Sequence, residues 1–206
     1  MAPEVAAEFP SLRLVWADLA AAARPSPPEL RRRLRDLSDR FDGPRAVMLR
    51  RQPIPHAYRV FFRHVGLDPD VDRIPVEALA VQRLTHGGFT SRNTLDDALT
   101  IATMETSLGM WALDADGVEG DLEIRPARRG EPLGRAEHVS RLPAGRLVVA
   151  DAAGPVAVLF GDVAPGRGVI RETRRIRLFS VLVAGVPELV AEEALWLCEE
   201  ILQEER

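Results

Sequence analysis

The chain contains no lysine, and all 27 of its basic residues are arginine. Arginine's planar fork grips phosphate bidentately. Alanine, glycine, proline and valine are also abundant, as a GC-rich coding sequence produces, so composition rather than phosphate binding accounts for the missing lysine. Cysteine occurs once, as Cys198, which excludes an internal disulfide. The histidines His56, His64, His86 and His138 do not pair at ligand spacing, so no metal site is expected. There is no P-loop, no dinucleotide fingerprint and no GxSxG elbow, so no cofactor is expected either. No apolar run approaches the ~18 residues of a membrane span. The first residues lack a basic stretch followed by an apolar one. Neither a membrane helix nor a signal peptide is therefore expected, and a cytoplasmic location is the default. The formal net charge of −4 excludes a surface coated in positive field.

What is present is an ordinary globular composition over 206 residues, enough for one large domain or a domain with a small N-terminal extension. Ser11 to Leu19 alternates apolar and polar residues and predicts a strand. Ser26 is placed to cap a helix whose first turn holds Pro27 and Pro28. Leu30, Leu34, Leu37 and Phe41 form its apolar stripe, and Gly43-Pro44 closes it. Arg31, Arg32, Arg33, Arg35 and Arg40 lie on its other faces, as a solvated basic surface or as an RNA-backbone contact. Helices are predicted over Ala57 to His64 and Val76 to His86, the second stopped by Gly87-Gly88. Asn93 caps a further helix with Asp96 at its third position, reaching about Leu108. After Gly109 the texture becomes short β-branched or alternating segments: MWALD, DLEIRPA, RLVVADA, PVAVLF and IRLFSVLV. A helix from Pro187 to about Gln203 follows, with the stripe Leu189, Val190, Ala194, Leu197 and Ile201. Helices fill the first half and strands the second, without βαβ alternation, which is α+β. Residues 1–54 are expected to join the same compact domain as residues 55–206.

Within this frame the stretch RNTLDDALTIATMETSLGMWALD carries the polar stripe Asn93, Asp97 and Thr100, at i, i+4 and i+7 of one helix face. Two readings stand open. Asn93 is a cap and Asp97 a buried carboxylate holding backbone amides, or both face a pocket where Asp97 accepts from a ribose hydroxyl or an amine. Trp111 is core packing or a stacking surface for a terminal adenine. Glu77 and Arg83, six apart, flank the same space or form a surface ion network. His86, beside two glycines, is the best placed histidine for proton transfer. Gly161 opens GDVAPGRG, a loop between strands or a backbone cradle for an oxyanion or ribose.

The pattern Asn93-x3-Asp97 … Glu105 … Ala112-x-Asp114 resembles a core segment of the B3/B4 domain of phenylalanyl-tRNA synthetase beta chains. Four flanking stretches resemble free-standing members of that family: GLDPDVDRIPVEAL with Arg83, VEGDLEIRPARRGEPL, LVVADAAGPVAVLFGD and RETRRIRLFSVLVAG. The resemblance covers Pro55 to Arg206. It implies a three-layer α+β domain around an unusual β-sandwich core flanked by helices, and a tRNA-linked setting. The synthetase domain hydrolyses tyrosine misattached to phenylalanine tRNA. The resemblance therefore implies a stand-alone aminoacyl-tRNA deacylase, with a non-catalytic RNA- or amino-acid-binding domain as the alternative. It also implies a changed pocket. Leu99 stands where the family pattern has a threonine, Trp111 where it has a histidine and Phe179 where it has a glutamate. An unpaired phenol in such a pocket costs about 1–3 kcal/mol, so an apolar aminoacyl group is expected instead of tyrosine. No catalytic side chain is assigned. The candidate pocket residues are Glu77, Arg83, His86, Asn93, Asp97, Thr100, Trp111, Gly161 and Phe179.

Overall fold

The computed structural model describes residues 1–135 and 139–203. His138 therefore lies outside the described residues. The chain forms two compact units, each assembled from two separate segments: Met1–Ala22 with Trp111–Leu182, and Ala23–Met110 with Val183–Arg206. The N-terminal stretch divides between them, its first helix and its strand entering the first and its later helices the second. Among the described residues are seven helices and two three-stranded antiparallel sheets, the α+β class expected from the order of sequence patterns.

The first unit holds the strands. β1 (Arg13–Ala20), β6 (Arg175–Leu182) and β2 (Trp111–Asp114) make one sheet in the order β1-β6-β2, and β3 (Glu123–Pro126), β4 (Leu147–Asp151) and β5 (Gly154–Val158) make the other in sequence order. β6 is central and reads as a nearly unbroken apolar run because both its faces are covered from Leu178 onward. β1 lies at an edge, and its residues Trp16, Asp18 and Ala20 project to one exposed face while Leu19 is buried. A short helix missed by the sequence reading, α1 (Pro3–Glu8), precedes it, tied to the second sheet by the Ala2 amide donating to the Ile124 carbonyl (2.9 Å). Six residues with a single buried apolar side chain, Val5, give too little periodicity to detect.

The second unit is helical: α2 (Pro28–Arg40), α3 (Gly43–Leu49), α4 (Pro53–His64), α5 (Pro75–His86), α6 (Thr94–Thr106) and α7 (Glu188–Gln203). α6 is its centre, packed against α2, α5 and α7. This answers why α6 is rich in small residues. Ala98 and Ala102 are fully buried, as is Ala194 on α7, so the backbones approach closely enough for the Cys198 thiol to reach the Ala98 carbonyl (3.8 Å). Burial pushes that thiol up to about 12, leaving it an inert packing residue.

Three local expectations are corrected. Pro27, not Ser26, occupies the N-cap of α2, because the Ser26 hydroxyl is turned inward to a carboxylate. Gly43-Pro44 does end the α2 pattern but also opens α3, where Asp42 caps by accepting from the Arg45 amide (2.8 Å). Leu189, placed on the apolar stripe of α7, is 70% exposed, and Ala191 and Cys198 take its place on the buried face.

Candidate functional site

On the helical unit, the polar stripe of α6 is spent on architecture. Asn93 is the N-cap: its Oδ1 accepts from the Asp96 amide (2.9 Å) and its Nδ2 donates to Asp96 Oδ2 (3.0 Å). Asp97 is 1% exposed. Its Oδ2 accepts from the hydroxyls of Ser26 (2.7 Å) and Ser91 (2.5 Å), and its Oδ1 accepts from the Arg92 amide (3.1 Å). Beside it, Thr94 and Arg24 exchange two further bonds, the Thr94 amide to the Arg24 carbonyl (2.8 Å) and the Arg24 amide to the Thr94 hydroxyl (3.1 Å). One carboxylate thus fastens two irregular segments, around residues 24–26 and 91–92, to the first turn of α6. A buried carboxylate survives only when its lone pairs are met in this way. Thr100 bonds back to the Asp96 carbonyl of its own helix (2.8 Å), and Leu99 beside it is half-buried.

Glu77 is buried on α5 against Arg59 of α4, whose Nη1 donates to both carboxylate oxygens (2.8 and 3.2 Å). The same guanidinium donates to Asp70 (2.7 Å) and to the Pro69 carbonyl (3.3 Å). Burial alone pushes Arg59 toward losing its proton, but Asp70 and Glu77 more than reverse this, so the charge is held. Arg83 is not part of that cluster; its Nε donates to the Ser38 carbonyl (3.0 Å) and ties α5 to α2. His86 is exposed at the last turn of α5, which ends on Gly87 in the left-handed region (φ 75°). Its Nδ1 lies 2.9 Å from the Gln82 carbonyl, and since a carbonyl only accepts, Nδ1 carries the hydrogen.

On the sheet unit two of the predicted residues meet, and a third follows a ring that touches one of them. Trp111 and Phe179 are direct cross-strand partners, and their rings stack with centroids 5.6 Å apart and planes 19° apart. Gly161 follows Phe160, whose ring tilts against Trp111 at 6.2 Å. Phe160 sits at φ 61°, a conformation that costs a bulky residue about 1–2 kcal/mol. A side-chain Cβ at Gly161 would lie 3.1 Å from that of Val158, so this turn is built around the absence of one. Phe179 is buried whereas Trp111 stays half-buried, leaving part of the indole as an apolar surface. Asp114, at the end of the same strand, holds a turn: it accepts from the Asp116 amide (3.2 Å) and the Thr173 hydroxyl (3.0 Å).

Sequence reasoning missed several of the groups that complete these constellations. Arg59 looked like one more arginine in an amphipathic helix. Ser26 and Ser91 sit in connectors with no periodicity to reveal an inward side chain. Trp16, the β1 partner directly opposite Phe179, carried a legible sign in its alternating strand but was read only as strand. The buried pair Arg167–Asp151 was also missed. Asp151 closes the β4–β5 hairpin, accepting from the amides of Ala153 (2.9 Å) and Gly154 (3.0 Å), and from that of Glu119 (2.9 Å). Burial pushes its carboxyl up, but the Glu119 amide and the Arg167 guanidinium outweigh this and hold it below the usual value.

Among the described residues no group of three or more His, Cys, Asp or Glu side chains is placed to hold a metal ion, and no helix is long and apolar enough to cross a membrane. No curated protein matches the chain significantly. The model of the B3/4 domain matches residues 57–186, which takes in α4 to α6 and β2 to β6. The residues that carried the sequence resemblance, Asn93, Asp97, Glu105 and Asp114, all lie within it, and their bonds show why they mark a fold: cap, clasp, ion pair with Arg40 and turn. With more than half of its length matched, the chain belongs to the B3/4 domain family, a tRNA-synthetase-related, editing-type domain.

Proposed function

We propose that this chain is a free-standing B3/4 module that binds the aminoacylated 3′ end of tRNA and hydrolyses its ester in trans, preferring an apolar aminoacyl group to tyrosine. Family membership supports the tRNA-linked setting. The observation that carries the apolar preference is the Trp111–Phe179 stack, an indole left half-open on a buried phenyl ring with no side-chain hydrogen-bond acceptor in the pair. Hydrolysis of the ester adds water at the carbonyl carbon and expels the ribose oxygen, which takes a proton on leaving. The barrier falls when the carbonyl is positioned and its developing oxyanion is met by donors. The ribose hydroxyl next to the ester supplies one such group from the substrate itself, so the protein's share is orientation and exclusion of competing poses.

A second reading, binding without hydrolysis, is favoured by the spent side chains of α5 and α6. Glu77, Asn93, Asp97 and Thr100 each make bonds within the helical unit, leaving His86 as the exposed proton carrier of the predicted set. A panel of mischarged tRNAs separates the two. Release of apolar amino acids at a rate proportional to protein, with tyrosine slowest, is the expected result. Saturable binding without release selects the second reading, and rapid tyrosine release overturns the apolar preference.

A further inference from the structure

Resting on the reading that the chain binds tRNA, we propose that the exposed β1–β6 face is a stacking platform for an unpaired RNA base, with Trp16 as its surface and the arginines of residues 171–177 as its backbone clamp. Register puts Trp16 directly across from Phe179, which is itself directly across from Trp111, so three aromatic residues form one row on one face of the sheet. Phe179 in the middle is buried, while Trp16 at the edge is 42% exposed.

The exposed indole is also held in place. The Arg177 guanidinium lies 4.2 Å from its ring centroid, and both oxygens of Asp18 fix that guanidinium (2.6 and 2.7 Å). The same hydrogen bonds hold the Asp18 carboxyl below its usual range. A ring that is already immobile loses little freedom when a base settles on it, which is the property of a stacking surface.

Charge around the platform complements a phosphate backbone. Arg171, Arg174, Arg175 and Arg177 fall within seven residues that include one acid, Glu172. Arg175 is 58% exposed, and its carboxylate neighbours Asp116 (3.1 Å) and Asp18 (3.8 Å) form exposed pairs of the kind that exchange readily for a phosphate. The basic face of α2 carries exposed pairs of the same kind but lies on a helix, outside the aromatic row of the sheet. Arg31 is bonded to the Ser26 carbonyl, and Arg32, Arg33 and Arg40 face Glu29, Glu200 and Glu105. Trp16 lies outside the residues matched to the family.

The test is anisotropy of a labelled single-stranded RNA about eight nucleotides long, run beside intact tRNA, at two salt concentrations. Trp16→Ala is expected to weaken oligonucleotide binding about ten-fold or more, and Trp16→Phe, which keeps a π face, by less than about three-fold. Arg174→Ala with Arg175→Ala is expected to lower the salt slope by about one to two contacts. Melting curves confirm that each variant is folded. Should tRNA bind the wild type with Trp16→Ala and the arginine variant unchanged, the platform falls while the proposed function stands. Should neither RNA bind the wild type, both fall. A concentration-dependent dimer abolished by Trp16→Ala, with RNA binding unaffected, assigns the face to a second copy and overturns the proposal.

Discussion

The two units differ in which of the predicted side chains they leave open. In the helical unit Asp97 and Glu77 are buried and saturated, Asp97 receiving three bonds and Glu77 two from Arg59, and Asn93 closes the cap. In the sheet unit the aromatics and arginines along β1, β2 and the start of β6 remain partly open: Trp16, Trp111 and Arg175 all reach solvent. The difference separates two meanings of a polar motif. Residues that look like a catalytic stripe in sequence hold the helical unit together, while the proposed ligand surface is aromatic and lies on strands.

The strongest way to break this comparison is to remove one carboxylate from a buried pair in each unit. Glu77→Ala leaves Arg59 buried with a partly solvated partner, and Asp151→Ala leaves Arg167 buried likewise. Each is expected to cost about 3–5 kcal/mol in urea unfolding. A loss under ~1 kcal/mol for Glu77→Ala would show that Asp70 and the Pro69 carbonyl suffice for Arg59. Asp151 adds a pH signature. Its folded carboxyl is held below its usual value, so its contribution is complete above the unfolded value of about 3.9 and is lost as pH falls through the lower folded one. Melting temperatures of Asp151→Ala and wild type should therefore converge as pH drops below ~4.

Asp97→Asn is the next largest. It keeps the shape but removes the charge that two hydroxyls and one amide address, with an expected loss of about 1.5–3 kcal/mol. Affinity for tRNA at low temperature should be unchanged. Unaltered melting with a ten-fold drop in affinity would place Asp97 on the ligand side and dissolve the contrast between the units. Asn93→Ala should cost about 1 kcal/mol through the lost cap. Thr100→Val, which forfeits one bond to the carbonyl of its own helix, should stay within about 0.5 kcal/mol. Thermal melting of the two side by side sharpens the distinction between a residue that ends a helix and one that rides on it.

The elements were legible where periodicity is long. α2, α4, α5, α6, α7 and all six strands fall within a few residues of their sequence patterns, and the Asn93 cap was read together with Asp96 because that partner lies three residues away. The illegible parts are those in which one residue's partner is remote. Ser26 reads as a cap from its neighbours alone, and only the fold reveals Asp97, 71 positions along, as the stronger claimant. Arg59 and Glu77 carry no mark that distinguishes them from surface charges until α4 and α5 pack. The same holds for the aromatic row. Trp111 and Phe179 were singled out through a resemblance, but Trp16 joins them only by strand register, which depends on a pairing the sequence does not display.

That pairing sets the order of assembly. Asp18 and Arg177 are 159 residues apart, so on the ribosome β1 emerges long before its partner β6. Until then β1 is an unsatisfied edge carrying Leu14, Val15 and Trp16, in the company of a growing set of helices that close largely among themselves. Contacts of such long separation are slow to form. β1 is thus made well before the partner it pairs with, and a nascent chain shielded at that segment should reach the native sheet with fewer losses to aggregation than one left bare.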